Sequence, residues 1–302
     1  MPFLSFVYDH DNVGNIQRIT ELEHTTEYQY DPMNQLTDVT PIVGDRDPEF
    51  FTYDPVGNRL TSNTSNFHFH DEANRLLEDE TFLYDYDPKG NLISKEDKKT
   101  HDATTYTYDA ENRLIQVDLP DATTATYRYD ALGRRIEKDV DGTITRYVYD
   151  LEDILVEYDG KNIAIRAYTH GPGIDEPLSL RDIDAAESFF YHTDHLGSIR
   201  AMGDTAGLVV QEYRYTSFGT VNEQLDPAFI QPYSYTAREL DAENRATRLQ
   251  SQILCVRRGP ISARGFPDRV LSRTADTESV SLCTQQSSES RGPSWAATPR
   301  PR

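Results

Sequence analysis

Cysteine is nearly missing from this chain of 302 residues: only Cys255 and Cys283 occur, both near the C-terminus. Residues 1–244 therefore carry neither a disulfide nor a thiolate metal site, and redox chemistry does not identify a compartment. No apolar run approaches the roughly 20 residues of a membrane-crossing helix. The opening MPFLSFVYDHD is too short and too acidic for a secretory leader, so no targeting segment is expected there. Positive charge is scarce and unevenly placed. The net charge is −21, yet residues 245–302 hold ten Arg against four acids (Asp268, Asp276, Glu278, Glu289), which leaves −27 on the rest. Such a body should repel nucleic acid and anionic membrane, and its plainest meaning is a solvated outer surface. Phosphate-binding loops, dinucleotide fingerprints and nucleophile elbows are all absent.

What is present is aromatic, with 19 Tyr and 12 Phe, and it is periodic. Aligned on Asp11, Asp31, Asp54, Asp71, Asp87, Asp109, Asp130 and Asp150, the chain repeats at steps of 16 to 23 residues. One position earlier stand His10, Tyr30, Tyr53, His70, Tyr86, Tyr108, Tyr129 and Tyr149; three positions earlier stand Tyr8, Tyr28, Phe51, His68, Tyr84, Tyr106, Tyr127 and Tyr147. Residues two apart on a strand share a face, so each repeat puts two rings on one side of a sheet. Three positions after each Asp come Gly14, Asn34, Gly57, Asn74, Gly90, Asn112, Gly133 and Asp153, residue types that tolerate a left-handed backbone. Asp first, Pro often second and Gly or Asn fourth describe a type I turn that closes a hairpin with a bulge. An apolar residue resumes beyond the turn, as Ile16, Leu36, Leu60, Leu76, Leu92 and Leu114 do. Thr-rich aromatic runs favour strand, and a lone hairpin cannot bury a face. The expected fold is all-β: an array of antiparallel hairpins stacked into one sheet.

The unit Tyr-x-Tyr-Asp-x-x-Gly-Asn-Arg-Leu resembles the YD repeat of Rhs proteins, of the C components of insecticidal toxin complexes, and of teneurins. Three further motifs resemble that family's repeat-associated core. The first is Tyr191 to Arg200, with Asp194, Leu196, Gly197, Ser198 and Arg200 at the matching positions. The second is Tyr213-Arg214-Tyr215-Thr216-Ser217-Phe218-Gly219, and the third is Pro232 to Glu239. The resemblance covers residues 8 to about 244 and divides the chain into a repeat array (1–155), an incomplete core (156–244) and a basic tail (245–302). It implies part of a hollow β-shell that encloses or presents a C-terminal toxin, with the remainder of the shell and the toxin domain as partners. It also implies a secreted or cell-surface setting. Two alternatives stay open: an adhesion module binding carbohydrate or a cell-surface protein, and the remnant of a self-cleaving aspartyl autoprotease core. No catalytic residue, cofactor or metal is assigned.

After Asn244 the family pattern stops. Tyr is absent beyond Tyr235, and Arg replaces Lys throughout the tail. Back-translation of residues 245–270 with free choice of third bases, read one base later, gives GLLDYNRKYYASEEGRFLQEDSLIG, the segment the family would place there. Glu278 to Ser287 yields NLYRYVRNNP in the same way, and Ser288 to Ala296 yields VNLVDPAGL. A one-base frame change near Asn244/Arg245 is therefore expected, and the Ser-, Arg- and Pro-rich tail has the composition of a disordered segment. The family's cleaving acids would lie in the shifted frame, so no self-cleavage is expected of this chain.

Other motifs have ordinary explanations. His68 and His70 occupy ring positions of the repeat, and His192 and His195 belong to the core motif; neither pair supplies the three or four converging ligands of a metal site. Asp139-Val140-Asp141-Gly142 reads as a hairpin turn, because the downstream Glu of a calcium loop is missing. Asn63-Thr64-Ser65 is a glycosylation sequon by pattern only.

Overall fold

The computed structural model describes residues 4–44, 46–173, 175–229, 231–241 and 243 in full, and 246–249 and 252–254 by their backbone. Strands dominate. Among the described residues there is no α-helix, only a 3-10 turn at Tyr235–Ala237, and no helix is long and apolar enough to cross a membrane. Among the described residues all strand pairings are antiparallel and join strands consecutive in sequence. Five strands from Phe6–His10 to Glu49–Phe50 form one sheet, and Thr52–Tyr53 pairs with Arg59–Thr61. Sixteen strands from His68–His70 to Val221–Gln224 form the main sheet, and Leu240–Asp241 pairs with Ala246–Leu249, which pairs with Gln252–Leu254.

The turns follow from the repeat. In the first seven, the Asp carboxylate accepts the backbone N–H groups two and four residues on, as Asp54 does from Val56 (3.0 Å) and Asn58 (2.8 Å), and Asp130 from Leu132 and Arg134 (2.9 Å each). Asp31, Asp87 and Asp109 do the same. The fourth residue is left-handed: φ is +92° at Gly57, +89° at Gly90, +83° at Gly133 and +58° to +62° at Asn34, Asn74 and Asn112. A register shift follows between the last two residues of the incoming strand, for example Arg128/Tyr129, which is the bulge. Replacing Gly133 by Val puts a β-branched side chain in this left-handed position. It is expected to cost more than about 1 kcal/mol, read as a fall in the urea midpoint.

The eighth turn differs from its expected form. Asp150 pairs directly with Asp153, so the loop has two residues, and Leu151 (φ +53°) rather than Asp153 is left-handed. The sheet also crosses the expected 155/156 boundary inside the strand Asp153–Asp159, and the first two core motifs are further hairpins of the same sheet.

The rings of the repeats share a face. In Ala103–Tyr108, Tyr106 is buried while Thr105 and Thr107 are exposed; in Thr124–Tyr129, Tyr127 is buried while Thr126 and Arg128 are exposed. Tyr84, Tyr86, Tyr106, Tyr108, Tyr127 and Tyr129 pack into one cluster with Leu92, Leu114 and Val117, as Tyr28, Tyr30 and Tyr53 do with Leu36, Val39 and Phe51. The second ring of a repeat also fastens its hairpin to the one before. The hydroxyls of Tyr30, Tyr53, Tyr86, Tyr129 and Tyr149 donate to the carbonyls of Ile16, Leu36, Leu76, Leu114 and Arg135 at 2.6–3.0 Å. One expected position is corrected: Leu60 is 39% exposed, and the residue facing Tyr53 in register is the buried Arg59. The third turn has the spacing of the others, with the inward residue five positions after its Asp, and the Leu60 alignment was one residue too long.

The tail reading meets the structure only in part. Ala246–Leu249 and Gln252–Leu254 are strands, so backbone pairing continues past Asn244; alternating Thr, Leu and Ile suit an extended chain there. The expectation of disorder covers 245–302; of these, residues 245, 250–251 and 255–302 lie outside the described residues.

Candidate docking site on the tyrosine face

The strip of hairpins turns back on itself, so that its first strands meet its last. Arg200, on the strand after the Asp194 turn, reaches Glu21 with both guanidinium nitrogens (2.8 and 3.3 Å) while its Nε donates to the Tyr213 carbonyl (3.0 Å). The Ser217 N–H and hydroxyl donate to the Glu49 carboxylate at 3.1–3.2 Å, and Arg46 is salt-bridged to the same carboxylate. Phe218 meets Phe51 edge-on at 4.8 Å, and Tyr8 packs on His195 at 4.6 Å. A cavity of about 150 Å³ remains between the two ends, lined by Tyr28, Tyr30, Leu196 and Tyr215 among others.

The core motifs supply the geometry of this meeting. Gly197 (φ +78°) closes the Asp194 turn, whose carboxylate accepts the N–H groups of Leu196 and Ser198, and the Tyr215 hydroxyl donates to the Ile199 carbonyl (2.7 Å). Gly219 (φ +86°) has no alternative, because a Cβ there would lie 2.5 Å from the Tyr235 ring. Burial pushes the Asp194 carboxyl above its ordinary range against the pull of His195 and Arg200, whereas the carboxyls of Asp71, Asp109 and Asp130 in the array are held below theirs.

From the Ser198 turn the third core motif runs across the tyrosine face as a strap. Thr236 donates its N–H to the Ser198 hydroxyl (3.0 Å), and Ile199 donates its own to the Ser234 carbonyl (3.1 Å). Tyr233 inserts between Tyr168 (5.5 Å) and Tyr191 (5.8 Å), both edge-on. The strap ends in a buried charge cluster. Arg135 points one nitrogen at Asp241 (2.8 Å) and another at Glu239 (2.9 Å), with its guanidinium against the rings of Tyr127 (5.0 Å) and Tyr147 (5.5 Å). Lys138 bridges Asp241 (3.3 Å) and Glu243 (3.1 Å), and the Tyr127 hydroxyl donates to Glu243 (3.0 Å). Burial opposes the charge on Arg135, but Asp241 and Glu239 outweigh it and hold the group well above its usual range. Burial, then Asp241 and Glu243, keep the Tyr127 proton in place.

Sequence reasoning placed the core motifs but missed the partners. Arg135 and Asp241 are 106 residues apart, and only the repeat alignment, in which Arg135 stands where other repeats carry Leu or Ile, could have drawn attention to it. Asp139 accepts the Gly142 N–H in a two-residue turn, and among the described residues no group of three His, Cys, Asp or Glu is placed to hold a metal ion. The site joins chain to chain by ion pairs and ring packing.

A strip of antiparallel hairpins, curled with its tyrosines inward and crossed by its own C-terminal strap, defines a segment of β-shell. The teneurin YD-shell family model matches residues 3–252, and the chain belongs to that family. It is similar to the tRNA nuclease WapA of Bacillus subtilis (32% identity over 207 residues, 64% of this chain and 8% of that protein). It is also similar to double-stranded DNA deaminase toxin A of Burkholderia cenocepacia (29% over 245 residues, 71% of this chain and 17% of that protein). In structure it is similar to the TcdB2-TccC3-Cdc42 complex, with a TM-score of 0.51 and 13% identity, covering 84% of this chain and 17% of that one. The Tc holotoxin pore of Photorhabdus luminescens gives a TM-score of 0.50 at 13% identity, over 86% of this chain and 18% of that one. At these identities the structural likeness concerns the fold, and the chain spans less than a fifth of the length of each relative.

Proposed function

We propose that this chain is a non-catalytic wall segment of a β-shell that encloses or presents a toxin domain lying further along the complete protein. The inward burial of the tyrosine pairs, with a strap of the chain's own C-terminal core laid across them, carries this reading. A sheet that spends its aromatic face on itself is built as a container wall. An adhesion module would be served by rings exposed to a partner, so the same observation speaks against a carbohydrate-binding face. The toxin activities of the relatives support the reading by class and specify no toxin for this chain.

Phe6–His10 and Val221–Gln224 each pair on one side only among the described residues, so the segment presents open edges of the kind that join other strands. The isolated chain is expected to self-associate on light scattering, and the same chain expressed with further upstream repeats of its gene should become monodisperse. In that longer product a downstream domain should resist protease until the shell is opened by denaturant. A downstream domain digested at the same rate with and without the shell would overturn the enclosure. A monomeric isolated chain that unfolds cooperatively would remove the need for further shell.

A further inference from the structure

We propose that Arg59 and Arg135 are the two positions at which the wall recognises its own C-terminal core, and that Arg135 with Lys138 reads an extended strip of alternating carboxylates. The inference rests on the fold alone and holds whether or not a toxin is enclosed. It begins from the inward lane of the sheet, the residue that faces the second ring of each hairpin in register. That residue is Ile16, Leu36, Leu76, Leu92, Leu114, Ile154, Pro177, Ile199 and Val221 opposite His10, Tyr30, His70, Tyr86, Tyr108, Tyr149, His170, Thr193 and Tyr215. Opposite Tyr53 and Tyr129 it is Arg59 and Arg135.

A guanidinium in an apolar lane is unfavourable unless something compensates it. The other arginines of the turns, Arg75, Arg113 and Arg134, are accounted for within the repeat, because each binds the turn Asp four residues earlier. The two lane arginines are instead met by the core. Arg59 lies 4.9 Å over the ring of Phe218 and 5.7 Å from that of Phe51. Arg135 is 2% exposed and holds Asp241 and Glu239 on separate nitrogens, while Lys138 takes Asp241 and Glu243. The two breaks in the lane thus coincide with two landing points of the core, an aromatic one and an acidic one.

The arrangement also fixes register. Were the strap displaced by one hairpin in either direction, Asp241 would face Leu114 or Ile154, a buried carboxylate against hydrocarbon, and Arg135 would lose both partners. The penalty for the wrong position is thereby larger than the gain at the right one, which is how a buried ion pair confers specificity while adding little net stability.

The test uses the full chain and a glutamate-specific endoprotease, reading cleavage after Glu239 and Glu243 beside the far-ultraviolet β signal of the wall. Arg135→Leu restores the residue type of the lane. It should keep the β signal while cleavage of the strap rises on the order of tenfold or more, because the acids are left without a cation. Asp241→Leu should also speed cleavage. The double variant Arg135→Leu/Asp241→Leu removes the most buried pair together and leaves only Glu239 without its cation, so it should be cleaved more slowly than Arg135→Leu, which a merely structural role for either residue would not produce. Unchanged cleavage in Arg135→Leu would overturn the proposal. So would a double variant cleaved as fast as the two single effects combined. Loss of the β signal in both Arg135→Leu and the double variant would also overturn it, since Arg135 would then serve the wall and not the strap.

Discussion

Acidification through about pH 4 is expected to unfold the hairpin array, with the turn aspartates as the cause. At Asp71, Asp109 and Asp130, burial opposes ionisation, but the N–H groups two and four residues on and the arginine side chain at the fourth position outweigh it and hold the carboxyl below its ordinary range. Asp87 is held low in the same way by Asn91 and Lys89, and Asp11 by Asn15 and Val13. The sign follows from linkage. A carboxyl depressed in the folded state binds fewer protons there than in the unfolded chain. Its contribution is complete above the unfolded value near pH 4 and is lost as the pH falls through the folded one. Because the same device recurs along the array, the losses accumulate over a narrow pH range. Asp175 runs the other way: burial pushes it up to about 6 despite Arg238, so its effect is to erode stability as the pH rises from about 4 to 6. Chemical denaturation at pH 3, 5 and 7 measures the balance. Asp130→Ala provides the matching single-site result. It removes an acceptor of two backbone N–H groups and of the Arg134 Nε–H (2.7 Å), with an expected cost of about 2 kcal/mol at pH 7 that shrinks at pH 3. Stability that is flat between pH 5 and 3 would show that the turns do not depend on ionised aspartate.

Removal of one base at the Asn244/Arg245 junction is expected to alter the protein more than any substitution. The shifted frame is expected to replace a basic, tyrosine-free tail with an acidic, tyrosine-rich segment that continues the family pattern. That segment would follow directly from Glu239, Asp241 and Glu243, whose partners on the wall are already in place. The present chain is expected not to cleave itself, and its residues 245–302 to be cut rapidly by trypsin at their many arginines. The restored chain is expected to resist trypsin through that segment and, if the family's cleaving acids act, to release a downstream fragment at the D-P-A-G-L stretch. Expression of both versions with mass analysis of the products decides the matter. A fragment released from the present version, or a trypsin-resistant native tail, would return residues 245–302 to consideration as a functional domain.

The sequence by itself determined the local rules of this protein. Asp, Gly or Asn and the Tyr pairs act within four residues of one another, so turn type, left-handed positions, bulges and the face carrying the rings were legible from spacing in seven of the eight repeats, the turn after Asp150 being the exception. The same reasoning slipped by one residue at Arg59, which stands five after Asp54 as Leu36 does after Asp31 and Leu92 after Asp87; Leu60, the sixth, has the apolar side chain of the other repeats but the wrong spacing. The 155/156 boundary rests on a change of motif, and backbone pairing continues across it inside the strand Asp153–Asp159. The tertiary structure alone decided that Arg200 meets Glu21, that Ser217 meets Glu49 and that Arg135 meets Asp241. Those contacts depend on twist and curl added up strand by strand over the whole strip, and no local pattern encodes that sum.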